Sequence, residues 1–278
     1  MSDKKIPLAG VIGSPIAHSK SPTLHNYWLK RLDLPGQYMP LDVAQKDLGE
    51  VLRAMPKMGY VGANVTIPHK ETVLGLVDRV TDRAALIGAA NTLVFRADGQ
   101  IFADNTDGHG FIENLRKGAK GWSASAGPAV VFGAGGAARA TLAALLDAGA
   151  SEVRIANRTR ARADALRAEF GARVEVFEWV KAGNMLEGAK TVVNCTALGM
   201  QGKPALKVPL DALSTDAVVT DLVYTPLDTK LLEAARKKGC QVVDGLGMLI
   251  HQAAPGFERW FGKKPPVDED VRQVVLNS

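Results

Sequence analysis

The segment Gly133-Ala134-Gly135-Gly136-Ala137-Ala138 has residue types and a spacing that bind the pyrophosphate of a dinucleotide. It follows the apolar run Val130-Val131-Phe132 and reads G-x-G-G-x-A. Glycines allow a tight turn and let a phosphate approach the backbone, and the following helix offers free N–H groups and its positive dipole end. A purely structural strand-to-helix turn has the same pattern, so the next strand has to decide between the two interpretations.

The segment that begins 24 residues after Gly133 indicates which dinucleotide is bound. It reads Asn157-Arg158-Thr159-Arg160-Ala161-Arg162 and contains no carboxylate. NAD-binding proteins carry an acid at about this distance, which holds the ribose hydroxyls. An acid would repel a 2′-phosphate, whereas arginine holds a phosphate in a bidentate fork. The segment therefore predicts NADP(H), with Arg158 and Arg162 as the clamp and Arg160 directed to solvent.

Three polar clusters follow predicted strands in the first 108 residues. They contain Ser19 and Ser21, then Asn64-Val65-Thr66-Ile67-Pro68-His69-Lys70, and finally Asn91-Thr92 together with Asp104-Asn105-Thr106-Asp107-Gly108. Two serine hydroxyls beside a helix N-terminus suit a carboxylate. Each cluster alone is typical of helix capping, but three of them beside a nicotinamide site favour catalysis.

Alternating strands and helices position these clusters. In the first part, strands are predicted at Leu8–Ile12, Tyr38–Leu41, Gly62–Val65, Thr92–Arg96 and Ile101–Ala103. Helices are predicted from the N-cap Ser21, over Leu48–Met58, from Lys70 and over Gly108–Lys117. Strands separated by helices indicate a mostly parallel sheet.

The pattern becomes more regular after the connector at 120–128. Strands are predicted at Ala129–Phe132, Val153–Ala156, Val174–Phe177, Thr191–Asn194, Val218–Asp221 and Gln241–Val243, with helices over Ala137–Ala148, Arg160–Phe170, Met248–Phe261 and Asp268–Leu276. This is the pattern of a doubly wound domain. We therefore predict an α/β protein of two domains: an N-terminal, mostly parallel α/β substrate domain (1–107 plus 246–278) and a Rossmann-like, doubly wound NADP domain (108–245). The C-terminal helices are expected to return to the first domain.

Composition and charge restrict the partners. The 278 residues are 46% hydrophobic and 23% charged, and the net charge is +5. Six arginines lie between Arg154 and Arg173 without aromatic neighbours or a nucleic-acid motif, which favours a small anionic ligand over nucleic acid. Neither the two cysteines nor the five histidines have metal-ligand spacing, so no metal site is predicted. No apolar run reaches the ~20 residues of a membrane span. The start lacks the apolar region of a signal peptide, so a cytoplasmic protein without a membrane partner is expected.

The motifs, taken in order, are similar to those of the shikimate dehydrogenase family over essentially the whole chain. Besides the segments quoted above, the resemblance is carried by Ser19-Lys20-Ser21-Pro22, Asn194-Cys195-Thr196-Ala197-Leu198-Gly199-Met200, Asp221-Leu222-Val223-Tyr224 and Gly245-Leu246-Gly247-Met248-Leu249-Ile250-His251-Gln252. The resemblance implies NADPH-dependent, reversible reduction of 3-dehydroshikimate to shikimate, in aromatic amino-acid biosynthesis.

The resemblance also implies a role for each matching residue. Ser19 and Ser21 would hold the substrate carboxylate with help from Tyr224, and Lys70 and Asp107 would be the catalytic pair. Ring hydroxyls would be bound, or the pair oriented, by Asn64, Thr66, Asn91 and Gln252. The cofactor would be contacted by Gly133, Ala134, Gly135, Gly136, Ala137, Asn157, Arg158, Thr159, Arg162, Thr196, Ala197 and Met200, with Leu222, Gly245 and Met248 near the nicotinamide and Asp82 as a further contact.

The chemistry is consistent with these roles, and three alternatives stay open. Hydride transfer to a carbonyl leaves an alkoxide, which a protonated Lys70 can stabilise and protonate; which member of the pair moves the proton in each direction is left undecided. A quinate/shikimate dehydrogenase that uses NAD would need an acid near Arg160. An inactive NADP(H)-binding regulator would have replaced Lys70 or Asp107. A nucleic-acid-binding protein would use the basic patch. The sequence also leaves a homodimer open.

Overall fold

The computed structural model describes residues 6–278, which form two compact units. Unit 1 contains residues 6–107 and 249–278, and unit 2 contains residues 108–248. The predicted domain boundary at 245/246 differs from this division by three residues. The reason is that one unbroken helix, Leu246–Phe261, begins in unit 2 and continues in unit 1.

Twelve strands and nine α-helices make up the described residues. The strands are β1 Leu8–Gly13, β2 Gln37–Asp42, β3 Tyr60–Val65, β4 Arg79–Val80, β5 Thr92–Phe95, β6 Ile101–Asp104, β7 Ala129–Phe132, β8 Val153–Ala156, β9 Val174–Phe177, β10 Thr191–Asn194, β11 Val218–Asp221 and β12 Gln241–Val243. The helices are α1 Ser21–Arg31, α2 Leu48–Ala54, α3 Asp82–Ile87, α4 Asp107–Gly118, α5 Gly136–Asp147, α6 Arg160–Phe170, α7 Lys230–Lys238, α8 Leu246–Phe261 and α9 Glu269–Leu276.

Unit 1 is built on a six-stranded sheet in the order β2-β1-β3-β5-β6-β4. Three of its five strand pairs are parallel; the antiparallel pair β5–β6 is the predicted hairpin, and β5 also pairs antiparallel with β3. The hairpin turns at Gly99, whose φ of +86° is a left-handed conformation that glycine adopts without a steric penalty. β1, β3 and β6 run in the same direction, with the antiparallel β5 between β3 and β6, so the polar segments that follow these three strands lie at the same edge of the sheet.

Unit 2 is a wholly parallel six-stranded sheet in the order β12-β11-β10-β7-β8-β9. This is the doubly wound order of dinucleotide-binding domains, in which the strand order reverses at β7. Buried strands such as β7 and β10 read as continuous apolar runs since helices cover both faces of the sheet. The prediction of a doubly wound domain is confirmed.

Two predicted helix starts in unit 1 are wrong. Ser21 is the first residue of α1, and Lys20 is its N-cap. Lys70 does not begin a helix but lies in a turn, followed by a 3-10 helix over Thr72–Leu76. The physical reason is that the Lys70 carbonyl accepts from the Ala90 N–H (2.8 Å), which ties this turn to the segment before β5.

The two C-terminal helices supply part of the core of unit 1. Val271 and Val275 of α9 are fully buried, and α9 packs on α1. In α8, the Trp260 indole N–H donates to the Leu93 carbonyl (2.8 Å) beside Gly62, where a Cβ would overlap the indole. The predicted return of these helices to the first domain is confirmed for residues 249–278. Within residues 6–278, no helix combines the length and the apolar character that crossing a bilayer requires.

Candidate active site

Lys70 and Asp107 form an ion pair in unit 1. The Lys70 ammonium donates to Asp107 Oδ2, and their side chains are 15% and 5% exposed. The other carboxylate oxygen, Oδ1, accepts from Asn91 Nδ2 at 2.8 Å. The Asp107 backbone N–H donates to Asn105 Oδ1 (3.0 Å), and Asp107 begins α4, where the helix dipole favours a negative charge. Both carboxylate oxygens are therefore engaged, while the ammonium keeps some access to solvent.

Asn91 connects the segments that the sequence analysis singled out. Its amide nitrogen also donates to Thr106 Oγ1 (3.0 Å) and Gln252 Oε1 (2.9 Å). Its carbonyl oxygen accepts from the Thr106 N–H (2.8 Å) and the Thr92 hydroxyl (2.9 Å). Donors face the oxygen and acceptors face the nitrogen, which fixes the orientation of the amide, and the two hydrogens of Nδ2 are shared among three acceptors. A buried polar network with its groups satisfied holds its members rigidly.

Asn64 extends this network through Tyr38. The Tyr38 hydroxyl donates to Asn64 Oδ1 at 2.7 Å, and Asn64 Nδ2 donates to the backbone carbonyl of Asn91 at 3.1 Å. Burial raises the pKa of Tyr38 well above its ordinary value, and a hydrogen bond with Ser21 acts in the opposite direction. A neutral phenol therefore fixes the orientation of the Asn64 amide. Thr66 lies just after β3, and its backbone N–H donates to the Ile12 carbonyl (2.9 Å).

Ser19 and Ser21 lie at the N-terminus of α1. The Ser21 N–H donates to Ser19 Oγ (3.3 Å), and the first helical bond runs from Leu24 N–H to the Lys20 carbonyl (3.1 Å). The side chain of the N-cap residue, Lys20, makes no capping hydrogen bond. The first N–H groups of a helix have no intrahelical partner, so this end offers backbone donors and two hydroxyls to an anion.

Asp104 has a structural part in the motif that ends with Asp107. Its carboxylate accepts from Arg83 (2.7 Å), Arg259 (2.7 Å) and the Thr81 hydroxyl (2.8 Å). Burial raises the pKa of Asp104, but these hydrogen bonds outweigh it and hold the pKa below its ordinary value. Asp104 thus ties β6 to α3 and α8, whereas Thr106 and Asp107 of the same motif belong to the Asn91 network.

In unit 2, the glycine turn fits a dinucleotide pyrophosphate. Gly133 has φ +111°, and a Cβ there would lie 3.1 Å from Thr196 Cγ2 and 3.2 Å from the Cys195 carbonyl carbon. Gly135 is the N-cap of α5 without a side-chain cap, and no atom lies within 4 Å of the place where its Cβ would be. The turn therefore leaves an open space in front of the α5 N–H groups, as an anion there requires.

The three arginines after β8 differ in their contacts. Arg160 lies 3.5 Å from both Asp164 and Glu178. Arg158 and Arg162 are exposed, and neither has an ion-pair partner among the residues that the structure describes. Asn157 Nδ2 donates to the Thr159 carbonyl (2.8 Å), which shapes the turn before α6. Two guanidinium groups are thus free for a phosphate, and they are the two that the sequence analysis selected.

A buried network holds the loop after β10. Asn194 Oδ1 accepts from the Thr196 N–H (3.0 Å) and hydroxyl (2.7 Å), while its Nδ2 donates to Asp221 Oδ1 (2.9 Å). The Thr229 hydroxyl donates to Asp221 Oδ2 (2.8 Å). Burial raises the pKa of Asp221, although these hydrogen bonds oppose the shift. Asp221 therefore sets the orientation of Asn194, which in turn positions Thr196.

The other residues predicted to contact the cofactor differ in how exposed they are. Met200 is 39% exposed on the loop after β10, whereas Met248 is 8% exposed and packs in the core of unit 2. Gly245 passes so close to β11 that a Cβ would lie 2.6 Å from the Leu222 carbonyl oxygen. Asp82 is exposed in the first turn of α3, which is a position where the helix dipole stabilises an acid.

Sequence reasoning missed the residues that orient the site. The sequence predicts only a strand at Tyr38. It contains Asp221 and Asn194 in family motifs, but it predicts no role for either residue. For Asp221 a signal existed, since a carboxylate directly after a buried strand needs a partner. For Tyr38 no local signal existed because its partner lies 26 residues away.

These observations define the class of protein to which the chain belongs. A six-stranded, doubly wound unit with a glycine turn, joined to an α/β unit with a buried lysine–carboxylate pair, is typical of dinucleotide-dependent oxidoreductases. Family models match the chain as "Shikimate dehydrogenase substrate binding domain" (residues 11–93), "Shikimate / quinate 5-dehydrogenase" (118–201) and "Shikimate 5'-dehydrogenase C-terminal domain" (245–276). The chain belongs to the shikimate dehydrogenase family.

Individual relatives agree with this assignment. A protein of Cereibacter sphaeroides named shikimate dehydrogenase (NADP(+)) is 71% identical over 98% of both chains. Shikimate 5-dehydrogenase of Thermus thermophilus, solved with NADP(H) and shikimate, has a TM-score of 0.87 at 37% identity, over 97% of this chain and 98% of that one. Quinate dehydrogenase of Corynebacterium glutamicum, solved with NAD, has a TM-score of 0.89 at 32% identity, over 98% and 99%.

Proposed function

We propose that this chain catalyses the reversible, NADPH-dependent reduction of 3-dehydroshikimate to shikimate, a step of aromatic amino-acid biosynthesis. One observation carries the proposal: Asp107 of unit 1 accepts hydrogen bonds from both the Lys70 ammonium and the Asn91 amide. These contacts fix the ammonium beside a carboxylate. Family membership, and relatives that bind shikimate and NADP(H), support the same reaction.

Lys70 handles the proton in the reduction. When bound, NADPH supplies a hydride to the carbonyl carbon, and negative charge develops on the carbonyl oxygen. The ammonium of Lys70 stabilises this oxygen and donates a proton to it from Nζ. Asp107 holds the ammonium in place, because its two oxygens accept from Lys70 and Asn91. In the oxidation direction Lys70 takes the proton back.

The remaining polar groups of the proposed site select the substrate. Ser19 and Ser21, with the N–H groups of α1, bind the carboxylate, and Tyr224 contributes a further hydroxyl. The ring hydroxyls are bound by Asn64, Thr66, Asn91 and Gln252. A site built of oriented amides and hydroxyls rejects analogues that leave a buried donor or acceptor unpaired.

Unit 2 binds NADP(H). The turn Gly133-Ala134-Gly135-Gly136-Ala137 and the α5 N-terminus would hold the pyrophosphate. Arg158 and Arg162 hold the 2′-phosphate beside Asn157 and Thr159, and Asp82 is a further contact. The loop with Thr196, Ala197 and Met200 would line the cofactor, and Leu222, Gly245 and Met248 would contact its nicotinamide.

The reaction is tested by shikimate oxidation at alkaline pH with NADP⁺ and with NAD⁺. We expect shikimate with NADP⁺ to give the highest kcat/KM, and quinate or NAD⁺ to lower it at least tenfold, which is about 1.4 kcal/mol. The basis is that Arg158 and Arg162 have no ion-pair partner within residues 6–278 and that the segment 157–162 contains no acid. A preference for quinate with NAD⁺ would contradict the proposal and favour a quinate dehydrogenase like the C. glutamicum relative.

The proposal extends to the place of action and the assembly. A biosynthetic enzyme that consumes NADPH is expected in the cytoplasm, which cell fractionation with an antibody to the chain would check. The homodimer that the sequence leaves open is tested by sedimentation equilibrium, where a dimer has twice the 29.5 kDa of one chain.

A further inference from the structure

Lys20, which separates Ser19 from Ser21, is bonded to the C-terminal end of the chain's last helix. Its ammonium donates to the carbonyl oxygens of Val275 (2.9 Å), Leu276 (3.3 Å) and Ser278 (2.7 Å). The last carbonyls of a helix lack intrahelical partners and carry the negative end of the dipole. One lysine thus caps α9 from a position 255 residues earlier in the sequence.

The helix α9 is itself held firmly. At its other end, Asp268 accepts two hydrogen bonds from the Arg31 guanidinium, at 2.9 and 2.8 Å. The Trp28 indole N–H donates to the Pro266 carbonyl just before α9 (2.8 Å). Val271 and Val275 are fully buried. The ammonium of Lys20 is therefore fixed to a packed element rather than to a mobile tail.

The turn that carries Ser19 has little packing of its own. Ala17 and His18 are exposed, and the Ser19 N–H donates to the Ile16 carbonyl at 3.0 Å. Lys20 is the N-cap of α1, so any movement of its backbone moves both the Ser19 hydroxyl and the first N–H groups of that helix. The three carbonyls of the α9 end therefore restrain the donors on either side of Lys20.

We infer that Lys20 is a positioning residue for the carboxylate subsite, acting through the C-terminal end of α9. The inference rests on the proposed function, since it takes Ser19 and Ser21 to bind the substrate carboxylate. Lys20 does not itself contact the substrate, because its ammonium is engaged by the Val275 and Leu276 carbonyls of α9 and by Ser278 just after it. Preorganised donors bind an anion without the cost of ordering them, so the loss of Lys20 weakens carboxylate binding.

Lys20→Met tests the inference, since it keeps the aliphatic stem and removes the donors. We expect KM for shikimate to rise about tenfold, as for one to two net hydrogen bonds, with kcat and KM for NADP⁺ within about twofold of wild type. Lys20→Arg, which keeps the charge and the donors, restores most of the affinity. The matched control is Arg31→Met, which breaks the bond at the far end of α9 and leaves KM for shikimate unchanged.

Methyl shikimate separates positioning of the subsite from a general structural defect. With this neutral ester, wild type and Lys20→Met should have equal kcat/KM, because the carboxylate no longer distinguishes them. An equal loss on both substrates, or an unchanged KM for shikimate, overturns the inference.

The salt dependence of KM for shikimate distinguishes a Lys20 that restrains the Ser19 turn from a Lys20 that attracts the substrate carboxylate directly. The tenfold difference in KM should persist between roughly 0.1 and 1 M salt, whereas a direct attraction between charges is screened over this range. A difference that disappears at high salt overturns the inference. If wild type itself does not oxidise shikimate, the proposed function fails first, and the two failures are told apart by the wild-type assay.

Discussion

The two units solve the same problem of binding a charged small molecule by different means. Unit 1 holds its candidate groups in a buried network of side chains. Within this network, the single residue Asn91 donates to three others: Asp107, Thr106 and Gln252. Unit 2 offers the backbone of a glycine turn together with two exposed arginines that have no ion-pair partner in the described chain.

The difference reflects what each region has to do. A transition state gains from groups that are fixed before the reaction and need no reorganisation, which a buried network provides. A cofactor that must bind and leave needs complementary charge and shape, which an exposed turn provides. Substitutions in the Lys70–Asp107–Asn91 network should therefore change kcat, and those at the cofactor-binding residues of unit 2 should change KM for the cofactor.

The largest effect is expected for Lys70→Ala. We predict a loss of about 10³- to 10⁴-fold in kcat, with KM for shikimate raised only modestly, because the proton donor is removed while the carboxylate and hydroxyl contacts remain. Steady-state kinetics of shikimate oxidation measure both constants. The control Lys57→Ala removes an exposed lysine of the same unit and should leave both unchanged. A Lys70→Ala enzyme with normal kcat would remove the catalytic assignment.

A smaller effect, on a different constant, is expected for the arginines of unit 2. Replacing Arg158 and Arg162 together by alanine should raise KM for NADP⁺ about 100-fold, since two charge-assisted contacts to the 2′-phosphate are lost. KM for NAD⁺, which lacks this phosphate, should change little. Arg160→Ala serves as the control because Arg160 is already paired with Asp164 and Glu178. An equal loss for both cofactors would place the 2′-phosphate elsewhere.

The units should also differ in their response to acid. In unit 1, burial among Tyr38, Trp28 and Phe257 lowers the pKa of His25 to about 3. The unfolded chain binds the proton below about pH 6.5, so the free energy of unfolding falls as the pH drops from 6.5 towards 3. Between pH 7 and pH 5 the loss is about 2 kcal/mol, at 1.36 kcal/mol per pKa unit.

In unit 2, Asp221 makes the free energy of unfolding depend on pH in the opposite direction. Its raised pKa means that the folded state holds the proton more tightly, so this group's stabilising contribution is lost as the pH rises above the ordinary value of 3.8.

Urea unfolding of wild type and His25→Phe at pH 7 and pH 5 checks the prediction for unit 1. The variant keeps the ring stacked on Tyr38 and should be free of the loss of about 2 kcal/mol. The same loss in both proteins would exclude His25 as its cause.

The smallest effect is expected for the network behind the cofactor loop. Asp221→Ala removes the acceptor for Asn194 and Thr229, and KM for NADP⁺ should rise about tenfold. Asp221→Asn keeps one acceptor oxygen for Asn194, and the Thr229 hydroxyl can turn to accept from the new amide. Its KM for NADP⁺ should rise less than about threefold. A larger effect of the asparagine variant would mean that the charge itself is needed.

The predictability of the two units also differs. The strands of unit 2 from β7 to β12 begin and end where the sequence predicts them, because parallel buried strands are unbroken apolar runs between polar turns. In unit 1, the short strand β4 and the helix α3 were missed. Both are too short for a periodic pattern to develop, and β4 has two residues.

The sequence by itself determined the α/β class, the glycine turn, the choice of arginine over acid after β8, and the identity of the polar clusters. These are local properties, in which residue type and spacing dictate the conformation. Tertiary structure alone decided that Tyr38 orients Asn64, that Asp221 orients Asn194, and that Lys20 caps α9. Each of these contacts joins residues at least 26 positions apart, so its geometry depends on how the whole unit packs rather than on any local pattern.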